Sequence, residues 1–338
     1  MGREQVLCFR VMRRSVALLA CLAAACLLKV MPAQTLLVVN QADHDLSLID
    51  PAAAKQLRTL DLTAVTGHEV AVSPDGRTAF VPIYGNSGVG KPGTDGSTMR
   101  VFDLESKTLR GTVDFGRGVR PHCAVYDARR DVLYVTTELD KTVSVIDPHT
   151  LKVVGAIPTG QEQSHMFVLA HDGRFGYTAN VGPGTVSVLD MTSRRTVKII
   201  PVSANTQRIS ISKDDRSVFT ADQTKPQIAV IDTATNTLKS WIELPAVAYG
   251  TASTQDGRWL IAALRTTGKV AVIDLATLKV VRTLDVPPTP TEVLVRPDGR
   301  FAYVSCVGGK VAAIDLSDWH VASLIEAGQG ADGLAWAK

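Results

Sequence analysis

The stretch "LYVTTELDKTVSVIDPHTLKVVGAIPTG", residues 133–160, decides the fold. It opens with an apolar strand, "LYVTT", and continues into a strand of alternating character, "TVSVID". It then turns through "PHTLK" and leaves by a further apolar run, "VVGAI". Alternation with a period of two marks a strand, and clusters of Pro, Asp and Thr between such runs mark turns. Outward from this stretch the same phrase recurs. An apolar residue followed by aspartate closes an alternating strand at Asp50, Asp103, Asp147, Asp190, Asp232, Asp274 and Asp315, at intervals of 53, 44, 43, 42, 42 and 41 residues. Self-similarity at about 40–45 residues is the period of a propeller, each repeat being one four-stranded blade.

The remaining strand of each repeat precedes a second kind of turn: SPDGR at 73–77, AHDGR at 170–174, SKDDR at 212–216, TQDGR at 254–258 and RPDGR at 296–300. Asp-Gly supplies a side-chain acceptor and a residue tolerant of positive φ, as a tight reversal requires. Beyond the first 33 residues the chain begins with "TLLVVN", a second strand, and ends with "ADGLAWA", a first strand. Pairing these two completes one blade from both ends and removes two free edges. The expectation is an all-β, seven-bladed β-propeller of four-stranded antiparallel blades over residues 34–338, closed by its terminal strands.

The repeats "LYVTTELDKTVSVIDPHTLKVVGAIPTG" and "RPDGRFAYVSCVGGKVAAIDL" resemble the YVTN-repeat family of bacterial exported seven-bladed propellers, over essentially all of residues 34–338. The resemblance implies the ring and its export. Its motifs are structural and specify no ligand. Two departures stand out: "YDARRDVLYV" lacks the turn glycine, and the second blade is longer than the rest.

Residues 1–33 read as an export leader. Arg3, Arg10, Arg13 and Arg14 precede the apolar run "SVALLACLAAACLL", and Ala33 offers a small residue to cut after. At about 14 residues the run falls short of the roughly 20 a membrane span needs. Met12 is an alternative start, and Cys21 or Cys26, each after alanine, is an alternative lipid-anchoring point. The reading is of a periplasmic or secreted protein, monomeric, with no transmembrane span once the leader is gone. Removing it takes away five cationic residues and one acidic one, so the net charge of +3 becomes −1. No basic tract remains to follow phosphates, which argues against a nucleic-acid partner. Only Cys123 and Cys306 remain, too few for a disulfide framework, so a packed core must supply stability.

Function has to be sought on one rim. In a four-stranded meander the loops joining strands two and three share a rim with the segments leading into strand one, while the PDGR turns lie opposite. Aligned by those turns, the residues leading into strand one give a column of Glu69, His122, Met166, Arg208, Gly250, Glu292 and Gly333. Preceding each is His68, Pro121, His165, Gln207, Tyr249, Thr291 and Asp332. Three chemistries suit this set. The preferred one is a binding or scaffold module, taking a small ligand, peptide or protein through His68, Glu69, His122, His165, Arg208, Tyr249, Glu292 and Asp332, with no cofactor and no reaction of its own. A second is acid–base chemistry on a lactone-like or anionic substrate, resembling lactonase and lactonising propellers. Arg208 would hold a carboxylate, His122 would move the proton, and Glu69 or Glu292 would assist. The third is a divalent metal held by His68, His122 and His165 with Glu69. The longer second blade contains "GNSGVGKPG", residues 85–93, whose Gly85, Gly90 and Lys91 match phosphate-loop spacing. Pro92 follows where Ser or Thr is needed and a strand comes next, so the stretch reads as an inserted loop.

Overall fold

Each alternating strand ends in aspartate because the turn after it consumes the carboxylate. Asp50 Oδ1 accepts the backbone N–H groups of Ala52 (2.9 Å) and Ala53 (3.0 Å), and Asp147 Oδ1 those of His149 (2.8 Å) and Thr150 (3.2 Å). The aspartate of the opposite turn works the same way, Asp75 capping the Arg77 N–H and Asp298 the Arg300 N–H, each at 3.0 Å. Where the turn glycine is missing, an aspartate takes the left-handed conformation instead: Asp215 at φ +59° in SKDDR and Asp131 at φ +53° in blade 3.

The computed structural model describes residues 34–338, which form seven four-stranded antiparallel sheets. Blade 3 is typical: Pro121–Asp127, Val132–Thr137, Thr142–Asp147 and Lys152–Pro158, from the axis outward. Every innermost strand touches those of the two neighbouring blades, so the contacts run in a closed circle. The circle closes in blade 1, where Ala331–Ala337 pairs antiparallel with Thr35–Asn40 in the register Leu36↔Trp336 and Val38↔Leu334.

Third strands such as Thr142–Asp147 are buried on both faces, because each blade is sandwiched between two others. The small polar residue inside them is therefore a buried group that needs a partner. The last residue of the second strand provides it: Asn40 Nδ2 donates to Ser47 Oγ (2.7 Å) and Asn180 Nδ2 to Ser187 Oγ (2.9 Å), while Thr137 and Ser144 hydroxyls lie 3.0 Å apart. Cys123 and Cys306 are both buried free thiols, burial holding Cys306 up at about 12. The leader expected at residues 1–33, with Met12, Cys21 and Cys26, lies outside the described residues. Among the described residues no helix is long and apolar enough to cross a membrane.

Candidate functional site

The innermost strands lean together at the axis, and two glycines mark how closely. A Cβ on Gly333 would stand 2.3 Å from the His68 carbonyl oxygen, and one on Gly250 the same distance from that of Thr291. At this end the pairing of first with second strand slips, between Pro121 and Ala124, Ser164 and Met166, Gln207 and Ile209, Ala248 and Thr251, and Pro290 and Val293. Such bulges re-aim side chains. Here they decide which member of each neighbouring pair faces the axis: His165 turns to the site while Met166 joins the hydrophobic core.

One half of the site is a buried ion cluster. Arg208, on blade 5 and 4% exposed, takes a left-handed φ of +48° and reaches across the ring. Its Nη1 donates to Glu292 Oε2 (3.0 Å) and its Nη2 to Asp332 Oδ1. Glu69 Oε1 lies 2.6 Å from Nη1 without the alignment of a hydrogen bond. Blades 2, 7 and 1 thus each send a carboxylate to one guanidinium. All three ionised would leave excess negative charge in a buried place. Burial, first, and then the neighbouring carboxylates push Glu69 well above the ordinary range despite Arg208. Burial likewise raises Glu292. Asp332 sits below its ordinary value: burial pushes it up, but Arg208, His68 and Gln41 outweigh that.

This cluster changes the expected role of Arg208. Acid–base chemistry asks it to hold an incoming carboxylate, whereas the protein surrounds it with three of its own.

The other half is aromatic. The His122 and His165 ring centroids lie 3.5 Å apart, His68 is 5.0 Å from His122, and Tyr84 meets all three rings edge-on at 5.3–5.5 Å. The three imidazoles therefore converge, but His122 and His165 overlap as rings. Among the described residues no group of three or more His, Cys, Asp or Glu is arranged to hold a metal ion.

His165 is held from behind by Glu138, whose Oε2 lies 3.2 Å from Nδ1 and also accepts the Tyr84 hydroxyl at 2.7 Å. Glu138 is 3% exposed. Burial pushes its carboxyl up, yet His165, Tyr84 and Arg120 together hold it below the ordinary carboxylate range. An ionised Glu138 fixes the His165 proton on Nδ1 and leaves Nε2 with a free lone pair. Burial lowers the His165 pKa in spite of Glu138. Burial first, and then the competition with neighbouring His165 and His68 for a proton and the charge of Arg208, drives His122 well below the ordinary range. Nδ1 of His122, in a residue 2% exposed, has no hydrogen-bond partner.

Beside both halves lies a cavity of about 380 Å³, lined by His68, Tyr84, His165, Gln207, Tyr249, Arg265 and Asp332 among others. Its roof is the inserted loop of blade 2, which contributes Ser87, Gly88 and Val89. Arg120 fastens that loop, donating to Gly88 O (3.3 Å), Lys91 O (2.8 Å) and Asp95 Oδ1 (2.6 Å) while its Nη1 reaches Glu138 Oε1 (3.4 Å). The sequence reading placed His68, Glu69, His122, His165, Arg208, Tyr249, Glu292 and Asp332 on this rim. It missed Glu138, Arg120, Gln41 and Arg265. Glu138 opens a single 3-10 turn, Glu138–Asp140, in the loop between strands two and three. That loop carries no repeat signal in any blade.

Residues 126–251 match the family model described as "Cytochrome D1 heme domain". The matched segment contains Glu138, His165, Arg208 and Tyr249. Hydrazine synthase from Kuenenia stuttgartiensis is similar in structure, with a TM-score of 0.72 and 18% identity over 84% of this chain and 92% of that one. So is the dihydro-heme d1 dehydrogenase NirN in complex with DHE, at TM-score 0.67 and 15% identity over 91% of this chain and 76% of the other. A functionally unknown protein from Desulfotomaculum acetoxidans gives 0.73 and 12%, over 90% and 98%. At such identities the likeness is one of fold. No curated protein matches the chain significantly in sequence. The match to a heme domain overturns the expectation that no cofactor is involved.

Proposed function

We propose that this protein is a ligand-binding propeller whose ligand is a heme-type tetrapyrrole, with His165 as the axial residue. One observation carries the reading: His165 stands on the wall of the rim cavity with Nδ1 committed to Glu138. A carboxylate behind an imidazole fixes the tautomer and strengthens the remaining nitrogen as a ligand.

The residues present fit such a group. Tyr84, Tyr249, Val89 and Val307 give the cavity aromatic and apolar walls, and at about 380 Å³ and open to the rim it would take part of a macrocycle and leave the rest exposed. Ser87 Oγ, buried on the cavity wall, lacks a partner, as a polar atom facing a ligand would in its absence. A heme held there supplies an iron for electron transfer or for binding small molecules, tuned by the ligand behind it. The chain's own part is to hold His165 through Glu138, to keep His122 uncharged by burial, and to cover the cavity with the loop that Arg120 fastens. The leader pattern of residues 1–33 and the V-x-V-I-D strands support an exported protein of the YVTN type in the same reading.

Titrating the purified protein with hemin while following the Soret band tests this. A saturable, stoichiometric spectral shift is expected, weakened at least tenfold in His165→Ala. Absence of saturable binding, or binding indifferent to His165→Ala, would overturn the proposal.

A further inference from the structure

Three arginines belong to this site, of which Arg265 lines the cavity, and the other two are already paired. Arg208 is held by three carboxylates, and Arg120 by Asp95, Glu138 and two loop carbonyls. Arg265, on the loop between the second and third strands of blade 6, makes no ion pair among the described residues. Its guanidinium carbon lies over Tyr249, 4.5 Å from the ring centroid, with that of Arg208 5.1 Å from the same centroid, and Arg265 lines the cavity. An unpaired, part-buried guanidinium pinned over an aromatic ring on a cavity wall is a receptor in want of an anion.

A second observation lies beside it. Gln207 Nε2 is 3.1 Å from the Tyr249 hydroxyl, while its Oε1 is buried and has no partner. Amide nitrogen and oxygen are assigned from the surrounding hydrogen bonds. With the amide turned over, Tyr249 donates to the oxygen and the NH2 group faces the cavity, which leaves no orphan once an acceptor arrives. Asp332, the acid on the same wall, is already consumed by Arg208, Gln41 and His68.

We infer that Arg265, with Gln207 beside it, receives a carboxylate of the ligand, so that the site selects a carboxylate-bearing tetrapyrrole over an uncharged one. This rests on the heme reading above and goes further, in naming the group recognised and the residue that recognises it. Arg265 is here a specificity residue, separate from the His165–Glu138 pair.

Hemin and its dimethyl ester, which differ only in whether the two carboxylates are free, are the probes. Binding of each to wild type, Arg265→Gln and Arg265→Lys is measured by Soret titration in the same detergent. Wild type should bind hemin about tenfold or more tightly than the ester, a factor within reach of one charge-assisted contact. Arg265→Gln should lose that preference by weakening hemin alone and leaving the bound spectrum unchanged, and Arg265→Lys should restore part of it. Equal binding of hemin and ester by wild type, or a preference that survives in Arg265→Gln, would overturn this inference while leaving the heme reading intact. Failure of both probes to bind would remove the heme reading and this inference together.

Discussion

Replacing Arg208 by methionine should be among the most damaging single changes available in this ring. Methionine keeps much of the length and the apolar stem, and removes the one positive charge that Glu69, Glu292 and Asp332 share. Breaking a buried ion cluster from one side costs about 3–5 kcal/mol, because the partners stay buried and unpaired. With an unfolding entropy of about 2.1 cal/mol/K per residue over roughly 300 residues, that is a fall in Tm of about 5–8 °C. Its pH dependence carries a sign. Burial already holds Glu69 and Glu292 above their ordinary values, and removing Arg208 should move all three carboxylates further up. The stability tied to their protonation is present below the unfolded values and lost as pH rises through the folded ones. The penalty should therefore be full at pH 7 and smaller at pH 5. A quadruple variant, Arg208→Met with Glu69→Gln, Glu292→Gln and Asp332→Asn, should regain most of the loss, since it removes the stranded charges as well. Urea unfolding at both pH values, followed by tryptophan fluorescence, measures all of this. A loss below about 1 kcal/mol at pH 7, or one that does not shrink at pH 5, would refute the picture of a charge cluster paid for by its own partners.

Three further outcomes are expected. Tyr84→Phe removes a buried donor from Glu138 and should cost about 1–3 kcal/mol in urea unfolding; an unchanged midpoint would mean that His165 and Arg120 satisfy Glu138 alone. His122 and His165 have folded pKa values below the ordinary 6.5, so the unfolded chain takes up protons first and stability should fall as pH drops below about 6.5, by up to about 1.4 kcal/mol per unit for each. Glu69 and Glu292, raised above 4.5, act in the opposite sense, so the comparison of wild type with His122→Gln isolates the histidine term, and identical pH profiles would contradict it. Deleting residues 331–338 removes the strand that closes blade 1 and should leave an aggregating species by size-exclusion chromatography, where a monomer with unchanged Tm would show that closure is dispensable.

The fold was legible because its signals are local. Asp147 with His149 and Thr150, or Asp298 with Arg300, is a contact within a few residues, and each recurs in blade after blade. The rim column was legible for the same reason, since counting back from a turn finds His122, Arg208 and Glu292. Which residue of each pair faces the axis was not, because the bulges at Ser164/Met166 and its counterparts arise from backbone geometry that a column of letters does not contain. The fate of Arg208 was hidden by distance in sequence: its partner Asp332 is 124 positions away and meets it only after the ring closes. Glu138 was hidden by the opposite circumstance. It sits in a loop with no counterpart to be compared with, and its importance comes from Tyr84 and His165 on the blades either side.

The central claim, that the imidazole of His165 is the ligand to a bound heme iron, is tested most directly by electron paramagnetic resonance of the protein with one equivalent of hemin. Wild type should give a histidine-ligated signal that is lost in His165→Gly and returns when free imidazole is added to the variant. The same signal in wild type and His165→Gly, with no response to imidazole, would place the iron elsewhere and contradict the account.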